Sequence, residues 1–443
     1  MKNNTKLLAG AAIGALVIGL CGPAQAATAK HHRKPAAAAA NAAQAAEIKE
    51  LREEVQALSA RLNAQEAGQQ QVKTQAAQAE AVALQTKEAQ AGVDDQIQSI
   101  PAQVNLAVAA MPKPKKLWAE NTSISGRMYY DLTNINQESN SAKVPATGSG
   151  FDIKRFYLGV DHKFNDTYSA NLTTDFQYAS AISATELYLK KAYLQAKYSD
   201  ALTIRVGATD MPWIPFAEDV YGYRFVEQTL TDRTKFGTSS DWGVHAIGSF
   251  NKGMVSYQLS VVDGAGYKAP LRSKGMDVEG RISAKIDNIT LAVGGYTGKL
   301  GKDTQGAVTF HTATRFNALA AYTTKQFRVG AEYFSAQNWT SVTSAAKDSS
   351  DGYSVFGSYN FTDQISAFGR YDWVKPNKDT APSKKDGYFN IGLNYEPTKI
   401  VDFALVYKRD QVDHGTLSTG NGTIGGSNKG TYDEVGLFGQ FRF

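Results

Sequence analysis

Cysteine is almost missing from this sequence: one thiol, Cys21, stands in 443 residues, inside an apolar stretch near the amino end. Once that stretch is removed, no disulfide and no thiolate metal site remains to be built. Histidine is scarce too, and His31, His32, His162, His245, His311 and His414 are scattered. Only the adjacent His31 and His32 have any ligand-like spacing, and they sit in a basic tail, so neither a metal nor another cofactor is expected. No Ser stands in a motif with His245, so no nucleophile and base are expected, and with them no enzyme activity. Long apolar runs are missing after residue 26, which excludes a transmembrane helix. A dominant charge is missing as well: 47 basic residues face 42 acidic ones for a net of +5. Scattered charge of that size gives no reason to expect a nucleic-acid partner.

Aromatic residues and glycine are what the chain has, with 22 Tyr, 20 Phe and 39 Gly at a mean hydropathy of −0.35. Membrane-spanning barrels hide from hydropathy in this way, because only alternate residues face lipid. From about Ser123 the apolar residues recur with period two, the mark of a strand with one greasy and one wet face. Strand centres are expected at Arg127, Tyr157, Leu172, Tyr193, Arg205, Val244, Tyr257, Arg281, Val293, Asn317, Gly330, Gly357, Phe368, Ile391, Leu405 and Leu437. Short connections built from Asn, Asp, Gly and Pro alternate with long ones at 135–150, 179–184, 211–240, 264–275, 299–312, 337–352, 375–387 and 412–431. Turns on one side and loops on the other imply an all-β fold: a transmembrane antiparallel 16-stranded β-barrel at 119–443, with both its ends on the turn side. The last strand, 435–443, alternates Val435, Leu437, Phe441 and Phe443 with polar neighbours. It is expected to close the ring against 123–132, where Ile124, Met128 and Tyr130 continue its lipid face.

The amino-terminal regions speak differently. Lys2 and Lys6, the apolar run 7–20 and Pro23-Ala24-Gln25-Ala26 read as a secretory signal peptide over 1–26. A lipoprotein reading would acylate Cys21, against which Leu20 is a poor fit. Residues 27–118 are rich in Ala and Gln, with Ile48, Leu51, Val55, Leu58 and Leu62 in a coiled-coil seam flanked by Glu47 and Arg52. Ile and Val at a with Leu at d favour a dimer in a parallel coil, and a solvated helix or disordered spacer is the alternative. Pro112 and Pro114 end the helix. A helix of about fifty residues would span roughly 75 Å, enough to reach peptidoglycan and tether the envelope.

Strand parity splits the barrel residues. A charge facing the bilayer midplane costs about 2–4 kcal/mol, so the polar face looks inward on a water-filled channel. Pore-lining cations are then Arg127, Arg155, Lys191, Lys197, Arg205, Arg281, Lys285, Arg315, Arg328, Arg370 and Lys408, with fewer acidic residues on the same face. Such rings favour anions, unless the charges pair across the wall and merely solvate it. The connection at 211–240 is too apolar for a loop in water and is expected to fold into the pore.

Arg205-Val206-Gly207, Pro212-Trp213-Ile214-Pro215-Phe216, Arg224-Phe225-Val226-Glu227, Thr231-Asp232-Arg233 and Ser240-Asp241-Trp242-Gly243-Val244 resemble the phosphate-selective porin O/P family in order and spacing. The resemblance covers about 120–443. It implies an outer-membrane homotrimer of barrels, in outer-membrane lipid, whose third loop makes the constriction and which passes small anions, phosphate among them, or other small polar solutes. It makes Arg224, Arg233 and Lys235 candidates for the narrow zone, offset by Glu218, Asp219 and Glu227. Envelope tethering and a non-selective or carbohydrate porin are the alternatives.

Overall fold

The computed structural model describes residues 37–110, 118–179 and 184–443. The expected signal peptide with Cys21, the His31–His32 pair and the Pro112–Pro114 linker lie outside the described residues. The chain divides into two units, 1–113 and 114–443.

The first unit is one helix, α1 (Ala37–Ala110), 74 residues long. At 1.5 Å per residue it spans about 110 Å, longer than the sequence-based expectation. It runs through Gly68, Gly92 and Pro101. Its apolar residues Val55, Leu58 and Leu62 are exposed in the single chain.

The second unit is a closed antiparallel β-barrel. Its strands are β1 (Thr122–Ser139), β2 (Gly148–Lys163), β3 (Tyr168–Ala179), β4 (Ala184–Ser199), β5 (Leu202–Asp210), β6 (Ser240–Phe250), β7 (Val255–Val262), β8 (Asp277–Ile286), β9 (Ile289–Gly298), β10 (Ala313–Thr323), β11 (Phe327–Gln337), β12 (Ser349–Asn360), β13 (Ile365–Lys375), β14 (Lys385–Thr398), β15 (Val401–Thr419) and β16 (Gly422–Arg442). A two-residue strand, Ala142–Lys143, pairs with the tip of β1. Every expected strand centre falls inside one of the sixteen. Each strand pairs with its chain neighbours, and β1 closes on β16 with Met128 opposite Phe441 and Leu132 opposite Leu437. Gly126 exchanges backbone hydrogen bonds with Phe443 at 2.9 and 3.1 Å. A β-carbon at Gly126 would meet the Phe443 ring, which would have to shift to admit it.

The outer wall is apolar, with Leu132, Val206, Ile282, Val329, Ile391 and Leu405 exposed. Aromatic pairs mark its two margins. Phe250–Tyr257 and Tyr322–Phe327 lie near the short turns, and Tyr353–Trp373 and Phe389–Tyr407 lie toward the loops. Such a band between aromatic girdles suits a bilayer. The short turns use side-chain chemistry: Asn165 Oδ1 accepts from the amides of Thr167 and Tyr168, and Thr324 and Thr362 do the same in theirs.

One loop expectation is corrected. Residues 412–431 are not an open loop, because β15 and β16 keep pairing to Thr419 and Gly422. The register shifts between Asp413 and Gly415, where His414 and Gly415 take φ of 54° and 141° and bend the hairpin.

Candidate functional site

The third loop, 211–239, folds inside the barrel as expected, and it determines where every inner-wall charge goes. Pro215 near the start of α2 (Ile214–Tyr221) suits a helix beginning, and Gly222 ends it at φ 84°. α3 (Leu230–Arg233) follows. Apolar loop residues pack on the inner wall. Trp213, Ile214 and Ala217 meet Ala292, Leu319 and Ala321, and Phe225 and Val226 meet Phe368, Ala404, Val406 and Phe438. The lumen is therefore not wet all round: along these strands loop and wall form a packed core.

Burying a loop backbone leaves carbonyls in need of donors. Four wall arginines supply them. Arg281 Nε donates to Pro212 O at 2.8 Å, Arg328 Nη1 to Tyr221 O at 2.7 Å, Arg370 Nη1 to Gln228 O at 2.5 Å, and Arg315 Nη1 to Phe236 O. Trp213 Nε1 donates to Glu332 Oε1 at 2.7 Å. From the loop, Arg233 enters the wall and meets Asp372, Asp386 and Asp410 at 3.0, 2.6 and 2.9 Å, all with side chains fully buried. Lys408 sits buried between Glu227 at 3.2 Å and Glu434 at 2.7 Å.

These contacts correct part of the sequence-derived assignment. Arg315, Arg370 and Lys408 point inward but are buried under the loop, and Arg281 and Arg328 are half-buried against it. They hold the loop, and Arg315 and Arg328 also line two further cavities, of about 460 and 260 Å³. Arg233 and Glu227, expected in the narrow zone, are loop anchors. Arg205 lies along the wall over the Tyr193 ring and donates to Gln195 and Thr209. Lys197 pairs with Asp200 at 2.9 Å beside a short turn, and Lys285 is exposed near another.

Two cavities lie between the loop and the wall, mainly that of β1 to β5. A cavity of about 570 Å³ is lined by Arg127, Tyr129, Tyr157, Asp161, Lys190, Lys191, Asp210, Glu218, Asp219, Arg224 and Arg442, among others. A smaller one of about 180 Å³ is lined by Arg155, Tyr157, Lys190, Arg224, Asp232, Lys235, Tyr267 and Lys268, among others. Tyr157, Lys190 and Arg224 line both. There Lys190 Nζ stands 4.4 Å from the Tyr157 ring centre, and Arg224 bonds Glu218 at 2.5 Å with Asp232 at 3.7 Å. The two cavities are lined by eight cations and five carboxylates. Arg155 pairs with buried Asp175 at 2.6 Å and Lys191 with Asp210 at 2.5 Å. Burial lowers the Lys235 pKa, and burial together with Arg155 lowers that of Lys268 to about 8.

Lys154 and Lys190 escaped the sequence reading, and both sit on β-bulges. Tyr129 pairs with Arg155 while Tyr130 pairs with Ile153, leaving Lys154 as the extra residue of β2. Thr173 pairs with Lys191 while Thr174 pairs with Leu189, leaving Lys190 as the extra residue of β4. Each bulge turns two consecutive basic residues inward. A signal was present: in Lys154-Arg155 and Lys190-Lys191, strict alternation would push one charge of each pair into lipid.

His245 Nδ1 does meet a serine, Ser260 Oγ, at 2.8 Å, a neighbour the sequence did not suggest. Both are fully buried in the wall, away from the two cavities.

No protein-family model matches the chain, and no curated protein is similar to it. Solved structures are similar in fold. The anion-selective porin from Comamonas acidovorans is 12% identical with a TM-score of 0.55, over 73% of this chain and 99% of that one. The outer membrane channel DcaP of Acinetobacter baumannii is 13% identical with a TM-score of 0.51, over 73% and 97%. The trimer form of OmpT, an outer membrane protein of Vibrio cholerae, is 12% identical with a TM-score of 0.50, over 73% and 99%. The chain thus has the sixteen-stranded fold of outer-membrane porins.

Proposed function

We propose that this chain is an outer-membrane porin, a water-filled channel for passive diffusion of small hydrophilic solutes with a mild preference for anions. The observation that carries this reading is the lining of eight cations and five carboxylates in the two cavities, which in this reading form one path with its neck at the shared Tyr157, Lys190 and Arg224. A low-dielectric wall focuses such a surplus onto passing ions. The preference is mild because Arg224, Arg155 and Lys191 each have a carboxylate partner. Phosphate enters this reading as one small anion among others, since Arg233, which the O/P resemblance nominated, is occupied by three aspartates. Neighbours of the same fold whose names include a trimer and an anion-selective porin support a homotrimer and the sign of selectivity. The even number of strands supports a periplasmic α1. No catalytic step belongs to this reading.

Planar bilayers under a potassium chloride gradient test it. Purified protein should give discrete conductance steps and a reversal potential on the chloride side, with inorganic phosphate and a neutral sugar as competing solutes. Absence of channels overturns the porin reading, and a potassium preference overturns the anion reading. The length of α1 favours a second role as a tether, checked by co-sedimentation of the full chain with purified peptidoglycan.

A further inference from the structure

The cavity of about 460 Å³ lies toward the long connections, where residues of 264–265, 300–302 and 339–340 line it together with the third loop. Its size is that of a small-molecule site. Lys235, Gly237, Thr238 and Ala265 also line the cavity of about 180 Å³, so the two are neighbours.

Part of its lining is apolar and held in place. Buried Asp277, at the start of β8, accepts from the Tyr296 hydroxyl and from the amides of Lys299 and Leu300, both at 2.7 Å. Trp339 Nε1 donates to Lys235 O at 3.0 Å. The polar handles of Tyr296 and Trp339 are thus already bonded, and what they offer the cavity is ring surface, with Leu300 beside them. Three lining or adjacent residues take left-handed backbone without being glycine: Lys235 at φ 63°, Leu300 at 55° and Asn338, next to Trp339, at 56°. A bulky residue in that region is unusual, and such strain gathers at ligand clamps.

The unengaged charge in the lining is positive. Glu279 Oε1 already accepts from the Trp213 amide at 3.0 Å and meets Arg315 Nη2 at 3.1 Å. Arg315 is buried and donates to Asn317 and to Phe236 O, with its guanidinium 5.1 Å from the Trp339 ring centre. Lys235 and Lys302 are exposed, and among the described residues neither forms an ion pair. A fitting ligand brings negative charge to two ammonium groups and a flat apolar body to the rings. A sugar fits worse, because its hydroxyls need acceptors and the one carboxylate is engaged. A small inorganic anion leaves the rings unused. We propose that this cavity is a binding subsite for small aromatic carboxylates, with Lys235 and Lys302 at the carboxylate and Tyr296, Trp339 and Leu300 at the ring. The ligand's route rests on the porin reading, whereas its binding is measurable without a channel.

Equilibrium dialysis of the full chain in detergent, with benzoate as the probe, tests this. Benzoate should bind roughly tenfold or more tightly than acetate, the factor expected from burying a ring. It should also outbind benzyl alcohol, which has the ring without the charge. Lys302→Gln should weaken benzoate several-fold and leave benzyl alcohol as it was. Trp339→Leu should bring benzoate down to the level of acetate. Circular dichroism checks that each barrel is folded, and exposed Lys302 keeps the test decisive if Trp339→Leu does not fold. Equal affinity for benzoate and acetate, or undiminished benzoate binding by Lys302→Gln, overturns the subsite. The same loss from Lys190→Gln as from Lys302→Gln would put benzoate in the neighbouring cavity and overturn it too. Benzoate binding without conductance steps in bilayers would overturn the porin reading and leave the subsite standing.

Discussion

Lys190 reaches the passage because β4 carries one residue more than β3 can pair. That extra residue places a cation over Tyr157 at the neck, opposite the Arg224–Glu218 pair. Replacing Lys190 by Glu should move the reversal potential toward potassium. The shift should shrink between about 0.1 M and 1 M salt, as the screening length falls from about 10 Å to about 3 Å. An unchanged reversal potential at low salt would remove Lys190 from the neck. Lys268 gives the passage a pH dependence. Its pKa is lowered to about 8, so it is charged at pH 7 and neutral at pH 9. Anion preference should therefore decline between these values and decline less in Lys268→Gln, where Lys235 still titrates, as reversal potentials taken across that range would reveal. Parity alone found Arg127, Arg155 and Lys191 at the cavities. It missed Lys154 and Lys190 because a bulge breaks the period that parity assumes, and it misjudged Arg370 and Lys408 because parity cannot tell open lumen from lumen filled by a loop.

The third loop behaves as an element latched at both ends. Arg281 and Trp213 hold its entry, Arg315 its exit, and Arg328 the end of α2. A cation at the carboxyl end of a helix also complements its dipole. Gly222, at φ 84°, leaves room for the Arg328 guanidinium, which a β-carbon would meet at 2.0 Å. Strain of that kind costs about 1–3 kcal/mol. Gly222→Ala should loosen the loop, visible as added current noise with step size largely kept. Arg233→Leu should do more harm, since three buried aspartates lose their common partner; removing one side of a buried pair costs about 3–5 kcal/mol. Its barrel should unfold at clearly lower temperature or denaturant, and wild-type stability would show that those carboxyls find other partners. The tip of the β15–β16 hairpin joins the latch, with Gly420 N donating to Arg233 O at 2.8 Å and Asn421 bonding Lys408 and Asp410. The aromatic content of 211–240 announced an inward loop. Its anchors come from strands far along the chain, and such meetings leave no local trace in sequence.

The two units, a helix and a ring, are described by different rules. α1 follows a heptad and the barrel a period of two, and contacts cluster within each unit. Conductance should belong to the ring alone: a chain lacking 27–110 should show the full-length step size in bilayers, and loss of channels would assign α1 to barrel formation. The change of period near Ser123 made this division legible in the sequence.

The seam where β1 meets β16 has one more consequence. In hydrocarbon an unpaired backbone group costs several kcal/mol, so a ring open at any edge is a poor membrane resident. Closure and insertion should then be one event, and the place where the chain happens to begin should matter little once the circle is complete. Gly126 and Phe443 already touch through their backbones. Joined there by a short linker and cut instead at the turn 361–364, the same wall could be read from a different starting strand.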